Sequence, residues 1–213
     1  MPEHRHARLA LHVLTDREWS RGRDTVEVAA AAIAGGATVI QLRDKSASTR
    51  ELVKTGQALR RLTRERGVLL IVNDRIDVAL AIDADGAHVG QDDMPAPIAR
   101  ALLGPERILG VSASTREEAA AAVAAGADYL GVGPIYTTLA KADAGAPVGL
   151  RTLTNLAADY ALPLVAIGGI TAENTRDVLL AGATGIAVIT AVVNAEDITA
   201  AAHQLSTLLA ERS

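Results

Sequence analysis

Cysteine is absent from this sequence, which excludes a disulfide framework, every thiolate metal site and cysteine-based catalysis. Aromatic residues make up only 2 % of the chain, so a core has to be built from branched aliphatic side chains, and a hydrophobic content of 49 % supplies them. No apolar run reaches the ~18 residues that a membrane-spanning helix needs. The opening residues MPEHRHAR are charged and are followed by no secretory apolar region, so we expect a soluble cytoplasmic protein whose residues 1–7 form a flexible tail. Lysine is scarce too: Lys45, Lys54 and Lys141 stand alone against eighteen arginines.

A net charge of −4 argues against a nucleic-acid surface. The basic stretch from Arg60 to Arg66 has helical spacing that puts most of it on a solvated face. Nothing in the residues specifies an oligomeric state, and a homo-oligomer is compatible with them. Histidines are not organised for metal binding or a catalytic triad. His4 and His6 lie near the start, His203 falls in the last helical pattern, and only His12 and His88 sit within strand-like runs, His88 reading as buried and hydrogen-bonded.

What is present is a rhythm. Strand-like runs of the Val/Ile/Leu type, at 9–15, 38–42, 69–73, 86–90, 108–112, 129–133, 164–167 and 185–189, alternate with helical patterns at 24–35, 48–66, 75–82, 95–103, 115–125, 149–160, 172–181 and 196–210. One phrase recurs where helices end: AGGAT at 34–38, AGAD at 125–128 and AGAT at 181–184. Glycine there supplies a left-handed cap that turns the chain back toward the next strand. Thr115, Thr171 and the pair Glu196-Asp197 give the matching start signals. Eight such units in 213 residues, with no dinucleotide fingerprint, predict a single-domain (β/α)₈ TIM barrel over 1–213, the open doubly wound sheet being the competitor.

In a barrel of this kind the C-terminal strand ends carry the chemistry. Nearly every end is polar: Asp16 and Arg17, Gln41 to Lys45, Asn73 to Arg75, Gln91 to Asp93, Ser112 to Ser114, the loop running from Gly133 to Lys141, Gly168-Gly169, and Ile189-Thr190. Asp74 and Asp93 come from adjacent strands, and oxygen-only ligation by two carboxylates suits Mg²⁺ that keeps positions for water and substrate phosphates. The competing role for Asp74 is a salt bridge to Arg75 or Arg43. Arg43 and Lys45 share one face if the strand persists, as a bidentate phosphate clamp and a mobile point charge. Gly168-Gly169 leads into a helix and offers backbone N–H groups to a phosphate monoester, with the hydroxyl of Thr190 beside them. The loop from Thr137 to Pro147, rich in small residues, can act as a lid carrying Lys141 or serve as a plain connection.

The phrases QLRDK, VNDR, HVGQDD, GVSAST, GVGPIYTTLAK, AIGGIT and AVIT, in this order and over nearly the whole chain, resemble the thiamine phosphate synthase family. The resemblance implies a barrel that joins (4-amino-2-methyl-5-pyrimidinyl)methyl diphosphate to 4-methyl-5-(2-phosphoethyl)thiazole, giving thiamine phosphate and pyrophosphate. It implies that Gln41, Arg43, Lys45 and Asn73 bind the pyrimidine diphosphate and that Asp74 and Asp93 hold Mg²⁺. It further implies that Ser112 and Lys141 join the pyrophosphate and substrate contacts, with Thr138, Gly169, Ile189 and Thr190 on the thiazole phosphate side. Arg43, Lys45, Ser112 and Lys141 are the groups it makes catalytic, through stabilisation of the leaving diphosphate, with no protein nucleophile.

Three positions depart from the family pattern: Ala140 replaces a second hydroxyl residue before the lid lysine, His12 stands where many relatives have tyrosine, and Ser114 where many have histidine. His12 favours the related thiazole tautomerase, an isomerase on a similar barrel, but that proton transfer has no use for a diphosphate clamp. A phosphate-binding barrel without turnover is the alternative from another class.

Overall fold

A computed structural model describes residues 9–138, 140 and 145–211, so the segment 1–7 and Lys141 lie outside the described residues. Eight strands close into a parallel barrel in chain order: β1 Leu11–Leu14, β2 Val39–Leu42, β3 Leu69–Asn73, β4 Gly86–Val89, β5 Ile108–Ser112, β6 Tyr129–Val132, β7 Leu164–Ile167 and β8 Gly185–Val188. The closure sets Leu11, His12 and Val13 opposite Ile186, Ala187 and Val188. All eight expected strands occur, with β1 the most shortened.

Helices follow the strands as α1 Thr25–Ala34, α2 Thr49–Arg66, α3 Ile76–Ala81, α4 Ala96–Leu103, α5 Arg116–Ala124, α6 Gly149–Asp159, α7 Thr175–Leu180, α8 Thr190–Val193 and α9 Ile198–Ala210. The four-residue α8 has no counterpart in the sequence reading, because so short a helix shows no period. No helix among the described residues is long and apolar enough to cross a membrane.

Strand alternation divides the core in two. Leu11, Val13, Ile40, Leu42, Leu70, Val72, Leu130 and Ile186 point outward and pack beneath the helices, whereas Leu14, Val39, Leu69, Ile71, Tyr129, Val165 and Ala187 fill the barrel interior. A core with so few aromatic rings therefore needs both layers to be dense in small aliphatics.

The recurring glycine phrase does what its composition requires. Gly36 has φ +101°, and past it the N–H of Ala37 reaches the Ala32 carbonyl at 3.0 Å. The same bond recurs after Gly126, from Ala127 to Ala122, and after Gly182, from Ala183 to Val178. Thr115 caps α5 by accepting from the Glu118 N–H, and Asp197 caps α9. Thr171 does not start its helix: α7 begins at Thr175, and Thr171 donates its N–H to the Asn174 side chain in the preceding turn.

A second device at the N-terminal rim went unread in the sequence. Each even strand is preceded by a polar residue that pins the odd strand before it. Thr38 Oγ1 accepts from the Leu11 N–H at 3.0 Å, Asp85 from Leu70 at 2.8 Å and Asp128 from Leu109 at 2.8 Å, while the Thr184 hydroxyl donates to the Leu164 carbonyl at 3.0 Å. Helix-borne arginines steady the two carboxylates, Arg60 on Asp85 at 2.7 Å and Arg100 on Asp128 at 2.6 Å. Arg60 is thus the exception to the solvated face expected for its cluster.

Candidate active site

The opposite rim opens into a cavity of about 310 Å³. Its wall contains Gln41, Arg43, Lys45, Asn73, Asp74, Asp93, Ser112, Thr138, Gly169, Ile189 and Thr190, which is every residue singled out from the sequence except Lys141. Strand register explains the convergence: Gln41, Asn73, His88 and Ser112 are the last inward-facing residues of their strands, and adjacent strands bring them together.

β2 stops at Leu42, and Arg43 is held past its end by Thr15, whose hydroxyl accepts from the Arg43 N–H at 3.0 Å and donates to the Arg43 carbonyl at 3.1 Å. The Arg43 side chain, 9 % exposed, pairs with Asp16, which is 8 % exposed. Asp16 takes one guanidinium nitrogen, and no other donor of that side chain has a protein acceptor among the described residues. The role that competed with metal binding for Asp74 was a salt bridge to Arg43 or Arg75. Arg43 instead uses Asp16, Arg75 uses Asp77, and Asp74 faces Lys45 Nζ at 3.8 Å. Asp16 had no role assigned from the sequence; its place at the end of the neighbouring strand was the available signal.

Asp74 occupies the left-handed region, φ +63°, directly after β3, and its N–H donates to the His88 carbonyl at 2.8 Å. Aspartate tolerates that conformation better than most residues, and the backbone twist turns its carboxylate to the mouth. Asp93 folds back so that Oδ2 accepts from the Gly90 N–H at 2.8 Å. β4 ends at Val89, so Asp92 and Asp93 both line the cavity from the turn that follows it. The lining carries three carboxylates, Asp74, Asp92 and Asp93, against two cations, Arg43 and Lys45, among the described residues. No cluster of three or more His, Cys, Asp or Glu suited to a metal occurs among them.

Across the mouth, Gly168 (φ +95°) and Gly169 (φ +66°) form a turn, not the helix start expected, since α7 begins later. A side chain at Gly169 would come within 2.7 Å of the Thr137 carbonyl, so the backbone there is bare by necessity. The N–H groups of Gly169, Ile189 and Thr190 meet no protein acceptor among the described residues. Thr138 Oγ1 accepts from the Ala140 N–H at 3.2 Å, so a backbone amide occupies that hydroxyl beside the position where the family hydroxyl is missing.

The cavity floor is polar. His88 is half-buried, not buried, with Nδ1 3.0 Å from Tyr129 Oη and Nε2 2.9 Å from Ser112 Oγ. His12 is fully buried, and neither ring nitrogen has a hydrogen-bond partner among the described residues. Burial first, then the neighbouring His88, drives its pKa down to about 3, the Leu9 carbonyl opposing weakly without reaching hydrogen-bond geometry. The Tyr129 ring meets His12 edge-on at 5.4 Å, and burial pushes its phenol far above the usual range. Tyr129 carried no functional signal in the sequence because it begins its strand at depth.

Residues 11–192 match the family described as thiamine monophosphate synthase. The chain is 58 % identical over 199 residues to a thiamine-phosphate synthase of Chloroflexus aurantiacus, covering 93 % of this chain and 92 % of that one. It is 54 % identical over 195 residues to a thiamine-phosphate synthase of Moorella thermoacetica, covering 92 % and 93 %. A solved thiamine phosphate pyrophosphorylase from Pyrococcus furiosus superimposes with a TM-score of 0.89 at 44 % identity, over 97 % of this chain and 98 % of that one. The strand-end residues, the closed barrel and these likenesses agree, and the chain belongs to the thiamine monophosphate synthase family.

Proposed function

We propose that the protein is a transferase that joins (4-amino-2-methyl-5-pyrimidinyl)methyl diphosphate to 4-methyl-5-(2-phosphoethyl)thiazole, releasing pyrophosphate. The observation that carries this is the cavity itself, which brings a cationic clamp and paired carboxylates to one side and bare amides to the other. Gln41 and Asn73 hold the pyrimidine diphosphate, and Arg43, pre-oriented by Asp16, presents its remaining donors to phosphoryl oxygens while Lys45 supplies a movable charge. Gly169, Ile189 and Thr190, with Thr138, take the thiazole phosphate.

Among the described residues the carboxylates of the lining outnumber its cations, and a divalent cation held by them would favour a diphosphate there. Asp74 and Asp93 fit Mg²⁺: both are oxygen donors on the cavity wall, and Oδ1 of Asp93 has no partner among the described residues. When bound, Mg²⁺ supplies Lewis-acid neutralisation of the diphosphate. The carbon–oxygen bond to that group breaks, the electron pair leaves with pyrophosphate, and Arg43, Lys45, Ser112 and Lys141 stabilise its charge. The thiazole nitrogen, held close by the opposite wall, attacks the pyrimidine methylene carbon. A tautomerase needs none of this clamp, and Asp74 and Lys45 would have no work in it.

The test is incubation of the purified protein with both substrates, with Mg²⁺ or with EDTA. Formation of thiamine phosphate and pyrophosphate in equal amounts only with metal is expected. A folded protein that binds either substrate yet forms neither product would refute it.

A further inference from the structure

The chain Tyr129–His88–Ser112, buried at Tyr129 and half-buried at His88 and Ser112, spans β6, β4 and β5 and ends on the wall of the cavity. It exists because two glycines make room for it. A Cβ on Gly110 would lie 2.1 Å from Tyr129 Cζ and 2.5 Å from His88 Nδ1, and one on Gly131 would lie 2.7 Å from His88 Cε1. Two neighbouring inward positions of β5 and β6 are thus emptied of side chain at the spot where the imidazole and phenol meet.

The direction of the hydrogens follows from counting donors. Tyr129 has a single hydrogen to give, remains a neutral phenol, and has His88 Nδ1 as its sole hydrogen-bond partner among the described residues. Were Nδ1 protonated, the phenolic hydrogen would be buried without an acceptor, and a doubly protonated imidazole would orphan it in the same way. Nδ1 therefore accepts, Nε2 carries the proton, and that proton points to Ser112 Oγ at 2.9 Å. With its oxygen occupied by this donor, and no other partner among the described residues, the Ser112 hydroxyl has its own hydrogen to offer to the cavity.

We propose that Tyr129 and His88 are positioning residues that fix Ser112 as a hydrogen-bond donor, so that it serves an acceptor-only group, a phosphoryl oxygen of the leaving diphosphate. The proposal rests on the synthase function above. Its consequence is a polarity built into the floor: the serine strengthens its bond as negative charge develops on the departing oxygen. The phenol takes no part in the chemistry; it selects the tautomer, as second partners of histidine commonly do.

Two measurements on the full chain separate this arrangement from simple packing. In ¹⁵N-histidine-labelled protein, His88 is expected as a single tautomer protonated at Nε2, with Tyr129→Phe producing a mixture. An Nδ1-protonated His88 in the wild-type protein would overturn the proposal. In kinetics, Tyr129→Phe should lower kcat about tenfold with KM changed less than about twofold, the size of one lost ordering hydrogen bond. The same substitution in a Ser112→Ala background should change kcat by less than about twofold, because the group it positions is gone. An equal effect in both backgrounds would show that Tyr129 merely supports the fold. Should Tyr129→Phe not fold, His88→Gln, which keeps an Nε donor, is expected to retain most of kcat, and His88→Leu to lose about tenfold or more; equal losses would again refute the role. If the wild-type protein turns nothing over, the synthase assignment fails, while the tautomer is still decided by the NMR measurement.

Discussion

His12 shows how one buried side chain sets a pH limit. Its folded pKa, lowered to about 3 by burial, lies below the ordinary value of 6.5, so protonation favours the unfolded chain. The stability it helps preserve is fully present above pH 6.5 and is lost as pH falls from there toward 3. Between pH 7 and pH 5 this one group is expected to remove about 2 kcal/mol. His12→Leu should flatten that part of the stability profile by a similar amount, read by urea denaturation at the two pH values; an unchanged slope would mean that His12 is not buried neutral. The sequence located His12 within a strand and as a departure from its relatives. Its lack of hydrogen-bond partners among the described residues was not legible, because that depends on how Tyr129 and the neighbouring strands surround it.

At the scale of single elements, much could be read directly. α2 begins with Ser48, whose side chain accepts from the Glu51 N–H while Glu51 returns to the Ser48 N–H. Ser48→Ala should cost about 1 kcal/mol of stability with kcat unchanged, checked by thermal melts beside the assay. β5 makes the contrary point. Gly110 sits mid-strand, where glycine ordinarily weakens a sheet, yet a methyl group there collides with Tyr129 and His88. Gly110→Ala should cost about 1–3 kcal/mol and also lower kcat, because relief of the clash displaces His88 from Ser112. The glycine-marked helix ends and the polar strand termini were legible because their causes are local, whereas the start of α7 was not, since Thr171 bonds Asn174 in the turn before it. Ion-pair partners were not: Arg43 turns to Asp16 on β1's loop, and Asp74 to Lys45, choices made by side-chain reach across strands.

The whole molecule separates its tasks between two rims. At the N-terminal rim, Thr38, Asp85, Asp128 and Thr184 tie strands in pairs, and the charged groups there find partners within the fold. At the C-terminal rim, among the described residues, Arg43 keeps donors in reserve and Asp93 keeps an oxygen. Asp128→Ala should therefore lower stability by about 1–3 kcal/mol, leaving the Leu109 N–H without its acceptor and Arg100 with backbone carbonyls but no carboxylate, while KM and kcat stay near wild-type values. A loss of activity without a loss of stability would contradict this division. The barrel was legible from eight repeating units and the mouth from its charges, whereas the pairing of even with odd strands came from residues that in sequence look like ordinary turn positions.

The central claim is that the mouth holds a diphosphate by means of a divalent cation placed between its carboxylates. Calorimetric titration with inorganic pyrophosphate tests it most directly, using the wild-type protein and Asp74→Asn, with Mg²⁺ and with EDTA. Asparagine suits the left-handed backbone of position 74 and keeps its shape while removing the charge. Binding by the wild-type protein in Mg²⁺, weakened at least about tenfold by EDTA and by Asp74→Asn alike, is the expected result. Pyrophosphate binding of equal strength in all four titrations would contradict the claim, placing the anion on Arg43 and Lys45 alone.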